Sequence, residues 1–180
     1  MANVQVAKRY ARAVFELARE QGRLDAVYAD LVEIAKLLAQ RHEQIASLIE
    51  PYGMTPENRK KLWRAGLAGK AEPLVLRFIE FLIDKGRNPF LPDIIKAFVR
   101  LYNTEKGILA VDIRAAHVLE QRQTDAITQR LAQRFNKKIQ ASVTVDPSLI
   151  GGFQVRVGDV VYDYSINHQL DTLHRRLITA

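Results

Sequence analysis

Apolar residues recur at intervals of three and four along most of the first hundred positions, which is the spacing of amphipathic helices. The pattern predicts a first helix that ends at Gly22, because glycine readily adopts the backbone conformation that terminates a helix. A second helix carries a narrow apolar stripe over residues 24–38. A short third helix is predicted around residues 45–49, before Pro51.

Three further helices complete this region. Thr55 and Pro56 form a start signal for the fourth, because threonine caps helix N-termini and proline suits the first helical position. The fifth, over about residues 72–85, is apolar nearly all round, so it is either central or covered on a second face by something else. The sixth follows Gly86. The pattern predicts a six-helix bundle over residues 1–105.

Beyond Gly107 the apolar period changes to two, the period of a β-strand. Strands are predicted over residues 108–115 and 139–145, with a helix between them. A glycine-led turn at Gly158 joins two alternating segments and predicts a β-hairpin. A last helix follows Ser165. The predicted fold is therefore α+β, with a small α/β domain over residues 106–180.

The sequence contains few candidates for catalytic, metal-ligating or cofactor-binding residues. The chain has no cysteine, which excludes disulfides, thiolate zinc sites and a cysteine nucleophile. Its four histidines lack metal-ligand spacing, and no phosphate loop or nucleophile elbow is found. We therefore predict no catalytic residue, cofactor or metal, although an enzyme with an unrecognised site stays an alternative.

The formal net charge of +7 brings a second alternative, a basic nucleic-acid-binding protein. Acidic residues are interspersed throughout, and no stacking aromatics accompany the basic cluster at residues 59–61. Solvated helix faces are the simpler interpretation. No apolar run approaches the roughly 20 residues that span a bilayer, so we expect a soluble protein.

Three runs of sequence resemble the delta subunit family of rotary ATP synthases, whose mitochondrial counterpart is the oligomycin-sensitivity-conferring protein. Residues 6–18, VAKRYARAVFELA, are similar to the family's first helix. Residues 81–94 resemble the end of its fifth helix and the start of its sixth. Residues 145–165, which include DPSLIGGF and VGDVVYDYS, resemble its C-terminal signature.

The resemblance implies a non-catalytic subunit of the peripheral stalk, present as one monomer per complex. It implies that the N-terminal bundle binds the N-terminal segment of the alpha subunit, and that the C-terminal domain meets the C-terminal region of the b subunit. The protein would then resist rotor torque. It would reach the cytoplasmic face of the cell inner membrane only through the complex, and it would bind no nucleic acid.

The same resemblance places the alpha-subunit segment in a groove between the first and fifth helices. The apolar residues expected to line that groove are Tyr10, Ala13, Val14, Leu17, Leu74, Phe78, Phe81 and Leu82. Contact with the b subunit is expected from the hairpin and the last helix, through Val160, Tyr162, Ile166, Leu170, Leu173 and Leu177. The alternative is that these residues simply form the core of their own domains.

Overall fold

The computed structural model describes residues 2–40, 49 and 53–178. Two compact units divide the chain, Met1–Tyr102 (unit 1) and Asn103–Ala180 (unit 2). The described α-helices of the first part of the chain are α1 Ala2–Glu20, α2 Leu24–Gln40, α3 Pro56–Leu67, α4 Pro73–Asp84 and α5 Leu91–Glu105. A 3-10 turn, Asn88–Phe90, precedes α5.

The predicted fifth and sixth helices thus correspond to α4 and α5. The predicted third helix lies outside the described residues apart from Ile49, which is helical. The six-helix bundle therefore stays a prediction, whereas the mixed α and β character of the chain is confirmed.

Two predicted helix boundaries are confirmed by local geometry. Gly22 has a positive φ of 65° directly after α1, a conformation that costs glycine little. At the start of α3, the Thr55 hydroxyl accepts a hydrogen bond from the Asn58 backbone N–H at 3.4 Å. Pro56 occupies the first turn, where its missing N–H leaves no helical bond unmade.

The core of unit 1 forms where the apolar faces of its helices meet. The α2 stripe is buried from Val27 to Leu38, and Phe15 of α1 packs edge-on against Phe98 of α5 with ring centroids 5.8 Å apart. The other buried members are Ala7, Ala11, Val14, Ala18, Trp63, Leu74, Val75, Phe78, Ile79, Leu82, Ile83, Leu91, Ile94 and Ile95.

Helix α4 is fixed at its N-terminus by α2. The carboxylate of Asp30 accepts a hydrogen bond from the Glu72 backbone N–H at 2.7 Å, so a residue distant in sequence caps the helix. Glu72 itself makes no side-chain cap. The carboxylate at this position also interacts favourably with the partial positive charge of the helix N-terminus.

Unit 2 contains the strands β1 Ile108–Ala115, β2 Lys138–Val145, β3 Gly152–Val157 and β4 Val160–Ser165, and the helices α6 Gln121–Phe135 and α7 Ile166–Ile178. The sheet order is β2-β1-β3-β4. β1 and β2 are parallel, which requires the α6 crossover, whereas β3 pairs antiparallel with both β1 and β4. The Val157–Val160 pair closes the predicted two-residue hairpin.

One face of this sheet forms a small core with α6. Its buried members are Val111, Ile113, Val155 and Leu131. Gly152, at φ 80°, lies so close to β4 that a Cβ atom there would be 2.4 Å from the Tyr164 carbonyl oxygen. This close approach explains why glycine occupies the first position of β3.

Candidate protein-protein interfaces

The predicted groove residues differ in exposure. Leu17 and Phe81 expose 41% and 46% of their surface, and Ala13 is exposed as well. Tyr10 is half-buried. The remaining four, Val14, Leu74, Phe78 and Leu82, are at most 9% exposed and belong to the core of unit 1. The accessible part of the predicted groove is therefore a narrow strip.

Two aromatic rings join α1 to α4 at one end of this strip. The centroids of Tyr10 and Phe81 lie 6.1 Å apart with the ring planes tilted by 52°. A cation accompanies each ring: the guanidinium of Arg9 is 5.8 Å from the Tyr10 centroid, and the Lys85 ammonium is 5.8 Å from the Phe81 centroid. We call these four residues the aromatic end of the groove.

The other end of the strip lies where α1 finishes and α4 begins. A cavity of about 270 Å³ is lined there by Gln21, Arg23, Glu72, Pro73, Leu74 and Arg77. Arg23 and Glu72 form an ion pair across it at 3.6 Å. Because the C-terminus of α1 meets the N-terminus of α4, the two helices run antiparallel along the groove.

The residues predicted to meet the b subunit also divide by exposure. Val160, Ile166 and Leu170 are exposed, with Leu170 at 55%. Tyr162 is half-buried, and its ring packs edge-on against Phe135 of α6 at 6.1 Å. The side chains of Leu173 and Leu177 lie outside the described part of the chain. The described part of α7 therefore presents apolar residues to solvent.

An additional cavity in unit 2 was missed by the sequence analysis. It has a volume of about 570 Å³ and lies between α6, the sheet and α7, lined by Ala126, Ile127, Arg130, Leu131, Arg134, Phe153, Val155, Tyr164 and Gln169. The period-four spacing of Ile127 and Leu131 predicts that they face the sheet, but it cannot show that the sheet face stays partly uncovered. Only the position of α7 decides that.

Arg134 forms the polar rim of this cavity. Its guanidinium lies 4.9 Å from the Tyr162 ring centroid, and its Nη1 donates a hydrogen bond to the Tyr164 hydroxyl at 3.4 Å. In the adjoining hairpin, burial opposes ionisation of Asp163, but hydrogen bonds from Ser165 and Gln154 outweigh it and lower the pKa of this carboxyl. At neutral pH the ionised Asp163 therefore accepts these hydrogen bonds and stabilises the hairpin.

Within residues 2–40, 49 and 53–178, no group of three or more histidine, aspartate or glutamate side chains could hold a metal ion. Nor is any helix in those ranges long and apolar enough to cross a membrane. Both units have exposed apolar side chains with cationic side chains close by.

The sequence profile described as "ATP synthase delta (OSCP) subunit" matches residues 6–177. The chain belongs to the ATP synthase delta (OSCP) subunit family. The resemblance found in the three sequence runs is thereby confirmed, and so is the prediction of a non-catalytic subunit, because the members of this family are structural. The nucleic-acid alternative is left with no support beyond the net charge.

Two relatives illustrate the match. The ATP synthase subunit delta of Symbiobacterium thermophilum is 36% identical over 180 residues, which is 100% of this chain and 96% of that protein. The equivalent protein of Carboxydothermus hydrogenoformans is 36% identical over 177 residues, covering 98% of this chain and 99% of that one.

The fold is also found in a solved complex. A chain in the cryo-EM structure of the Toxoplasma gondii mitochondrial ATP synthase hexamer superimposes with a TM-score of 0.77. The match covers 96% of this chain and 97% of that chain at 22% identity. This likeness bears on the fold alone.

Proposed function

We propose that this chain is the peripheral-stalk subunit that links the catalytic head of an ATP synthase to its stator. Unit 1 binds the N-terminal segment of the alpha subunit in the groove between α1 and α4. Unit 2 binds the C-terminal region of the b subunit. One copy acts in each complex at the cytoplasmic face of the membrane, and it holds the head against rotor torque.

The observation that carries this proposal is the exposed strip between α1 and α4. Leu17 and Phe81 leave apolar surface accessible directly above the buried floor formed by Val14, Phe78 and Leu82. Such a strip suits an amphipathic helix that lays its apolar face into a groove. Helices α1 and α4 form the antiparallel walls of this groove. The tilted Tyr10–Phe81 contact closes it at one end, so the partner helix has a single path along it.

Binding by unit 2 is supported by a different kind of surface. Ile166 and Leu170 are exposed on α7, and the cavity beside Phe153 and Tyr164 opens next to that helix. Exposed apolar surface of this kind is typical of protein interaction sites. We assign the C-terminal region of the b subunit to this surface.

The test of the groove uses Tyr10→Ala and Phe81→Ala. Because Phe81 is nearly half exposed, we expect its replacement to cost little unfolding free energy but about 2 kcal/mol or more of binding to a peptide from the N-terminus of the alpha subunit. Thermal melts and calorimetric titration measure the two quantities. Leu62→Ala is the matched control, because Leu62 is 49% exposed on α3 and lies outside the groove.

Two outcomes separate groove from core. If both groove variants melt far below the wild type while the folded fraction binds the peptide normally, these residues serve the core and the groove lies elsewhere. If Leu62→Ala weakens peptide binding as much as Phe81→Ala does, the strip has no special part in recognition.

A further inference from the structure

The aromatic end of the groove carries two cations that no described carboxylate neutralises. Within residues 2–40, 49 and 53–178, the side-chain cations of Arg9 and Lys85 interact with the rings of Tyr10 and Phe81, at 5.8 Å each. Two other cations of unit 1 form ion pairs with carboxylates. Arg12 binds Glu16 at 2.8 Å, and Lys60 of α3 binds Asp84 of α4.

The opposite end of the groove carries charges of both signs. There, Arg23 pairs with Glu72, and Arg77 lines the same cavity as that carboxylate. Glu20 is exposed at the end of α1. The groove therefore has a cationic end at Tyr10 and Phe81 and a mixed end near Leu74.

We propose that this asymmetry selects the partner's charge: the docked segment places one or more carboxylates at the aromatic end, against Arg9 and Lys85. The inference rests on the proposed binding of the alpha-subunit segment in the groove. An apolar helix face that covers Phe81 brings its flanking side chains to the two cations. Desolvation of the rings then strengthens the attraction between each cation and an arriving carboxylate.

The same arrangement sets the segment's direction. Apolar contact alone does not select between the two orientations of an amphipathic helix, because the hydrophobic effect is non-directional. Complementary charge fixes register and suppresses wrong partners more than it adds raw affinity. Acidic residues at one end of the segment therefore define which end lies beside Tyr10.

The test compares two peptides on three proteins. One peptide has the natural sequence of the N-terminal segment of the alpha subunit, and in the other its aspartates and glutamates are replaced by asparagine and glutamine. The proteins are the wild type, the double variant Arg9→Gln/Lys85→Gln, and the control Lys61→Gln/Arg122→Gln. The control removes the same charge from exposed positions outside the groove.

We expect the double variant to bind the natural peptide roughly three- to tenfold more weakly than the wild type, the effect of two rim ion pairs. Its affinity should also depend less on salt. The control should bind as the wild type does. The amide peptide should bind the wild type and the double variant equally weakly. All substitutions are at exposed positions, and melting temperatures verify that each protein is folded.

Two results overturn the inference while leaving groove binding intact. In one, the double variant binds the natural peptide as tightly as the wild type does. In the other, the amide peptide binds the wild type as tightly as the natural peptide does. If the wild type binds neither peptide, the proposed groove function itself fails, and the charge selection falls with it.

Discussion

Unit 1 and unit 2 differ in how completely their helices cover apolar surface. The core cluster of unit 1 holds 20 buried residues contributed by α1 to α5, whereas that of unit 2 holds four. Among the described side chains, the large hydrophobic residues that stay exposed number five in unit 1 and nine in the shorter unit 2. Packing within unit 1 therefore covers its core, whereas packing within unit 2 leaves more apolar side chains exposed to solvent.

The reason lies in the geometry of the two layers. Helices in unit 1 can pack on several sides of one another, so α4 buries six residues and leaves Phe81 as its one exposed large apolar side chain. A sheet needs a full second layer to cover one face. In unit 2, α6 covers only part of that face, and α7 exposes Ile166 and Leu170. We therefore expect one narrow binding strip in unit 1 and a broad apolar surface in unit 2.

The largest expected effect comes from removing the open part of unit 2. Truncation after Ile150 deletes β3, β4 and α7, and should abolish binding to a peptide from the C-terminus of the b subunit. Binding of the alpha-subunit peptide should be unchanged, because the groove lies wholly in unit 1. Titration with both peptides measures the contrast. Unchanged b-peptide binding would place that contact outside the deleted elements.

Because truncation also removes two of the four strands, a point variant isolates the surface. Leu170→Ser keeps all four strands and should still weaken b-peptide binding. Val118→Ser is the control, since Val118 is 82% exposed and lies before α6. Equal binding by the wild type and both variants would show that α7 takes no part in the contact.

The next effect concerns the closed core of unit 1. Phe98→Ala should lower the free energy of unfolding by roughly 3–5 kcal/mol, because Phe98 is fully buried and packs against Phe15. Denaturant titration measures the loss. Phe81→Ala, measured in the same way, is expected to lower the free energy of unfolding only slightly. Similar losses in the two variants would contradict the distinction between core and strip.

A smaller effect is expected at the cap that joins α2 to α4. Asp30→Ala removes the acceptor of the Glu72 N–H and should cost about 1–2 kcal/mol of stability, which denaturant titration resolves. Glu33→Ala is the control on the same helix, because Glu33 makes an exposed ion pair with Lys36, and such pairs contribute little. If both variants have the stability of the wild type, α4 is positioned without this cap.

The smallest effect is a dependence of stability on alkaline pH. Burial, together with the hydrogen bond that Tyr102 donates to Asp25, raises the pKa of Tyr102 from 10.0 to about 12. Because the pKa of Tyr102 is higher in the folded protein than in the unfolded one, its contribution to stability is complete below pH 10 and is lost as the pH rises through 12. Tyr102→Phe should flatten the decline over that range. Parallel curves for the two proteins would rule out this tyrosine as the cause.

Much of the fold follows from local pattern. The α2 stripe predicts a single buried face because helical spacing brings residues 24–38 onto one side. The hairpin follows from alternation about Gly158, and the end of α1 from Gly22, since local backbone preferences decide both. For the groove, helical spacing and the family resemblance point to α1 and α4, which the Tyr10–Phe81 contact joins. The division of its eight residues into exposed strip and buried floor could not be read from one helix alone.

By itself, the sequence determined the periods, caps and turns, and with them the order of helices and strands, because each depends on residues close together in the chain. The tertiary structure decided everything that depends on what a neighbouring element covers. Packing within unit 1 buries Phe78 yet leaves Phe81 accessible, and the position of α7 leaves the cavity beside Tyr164 open. Exposure is a property of the assembled layers, so no single segment encodes it.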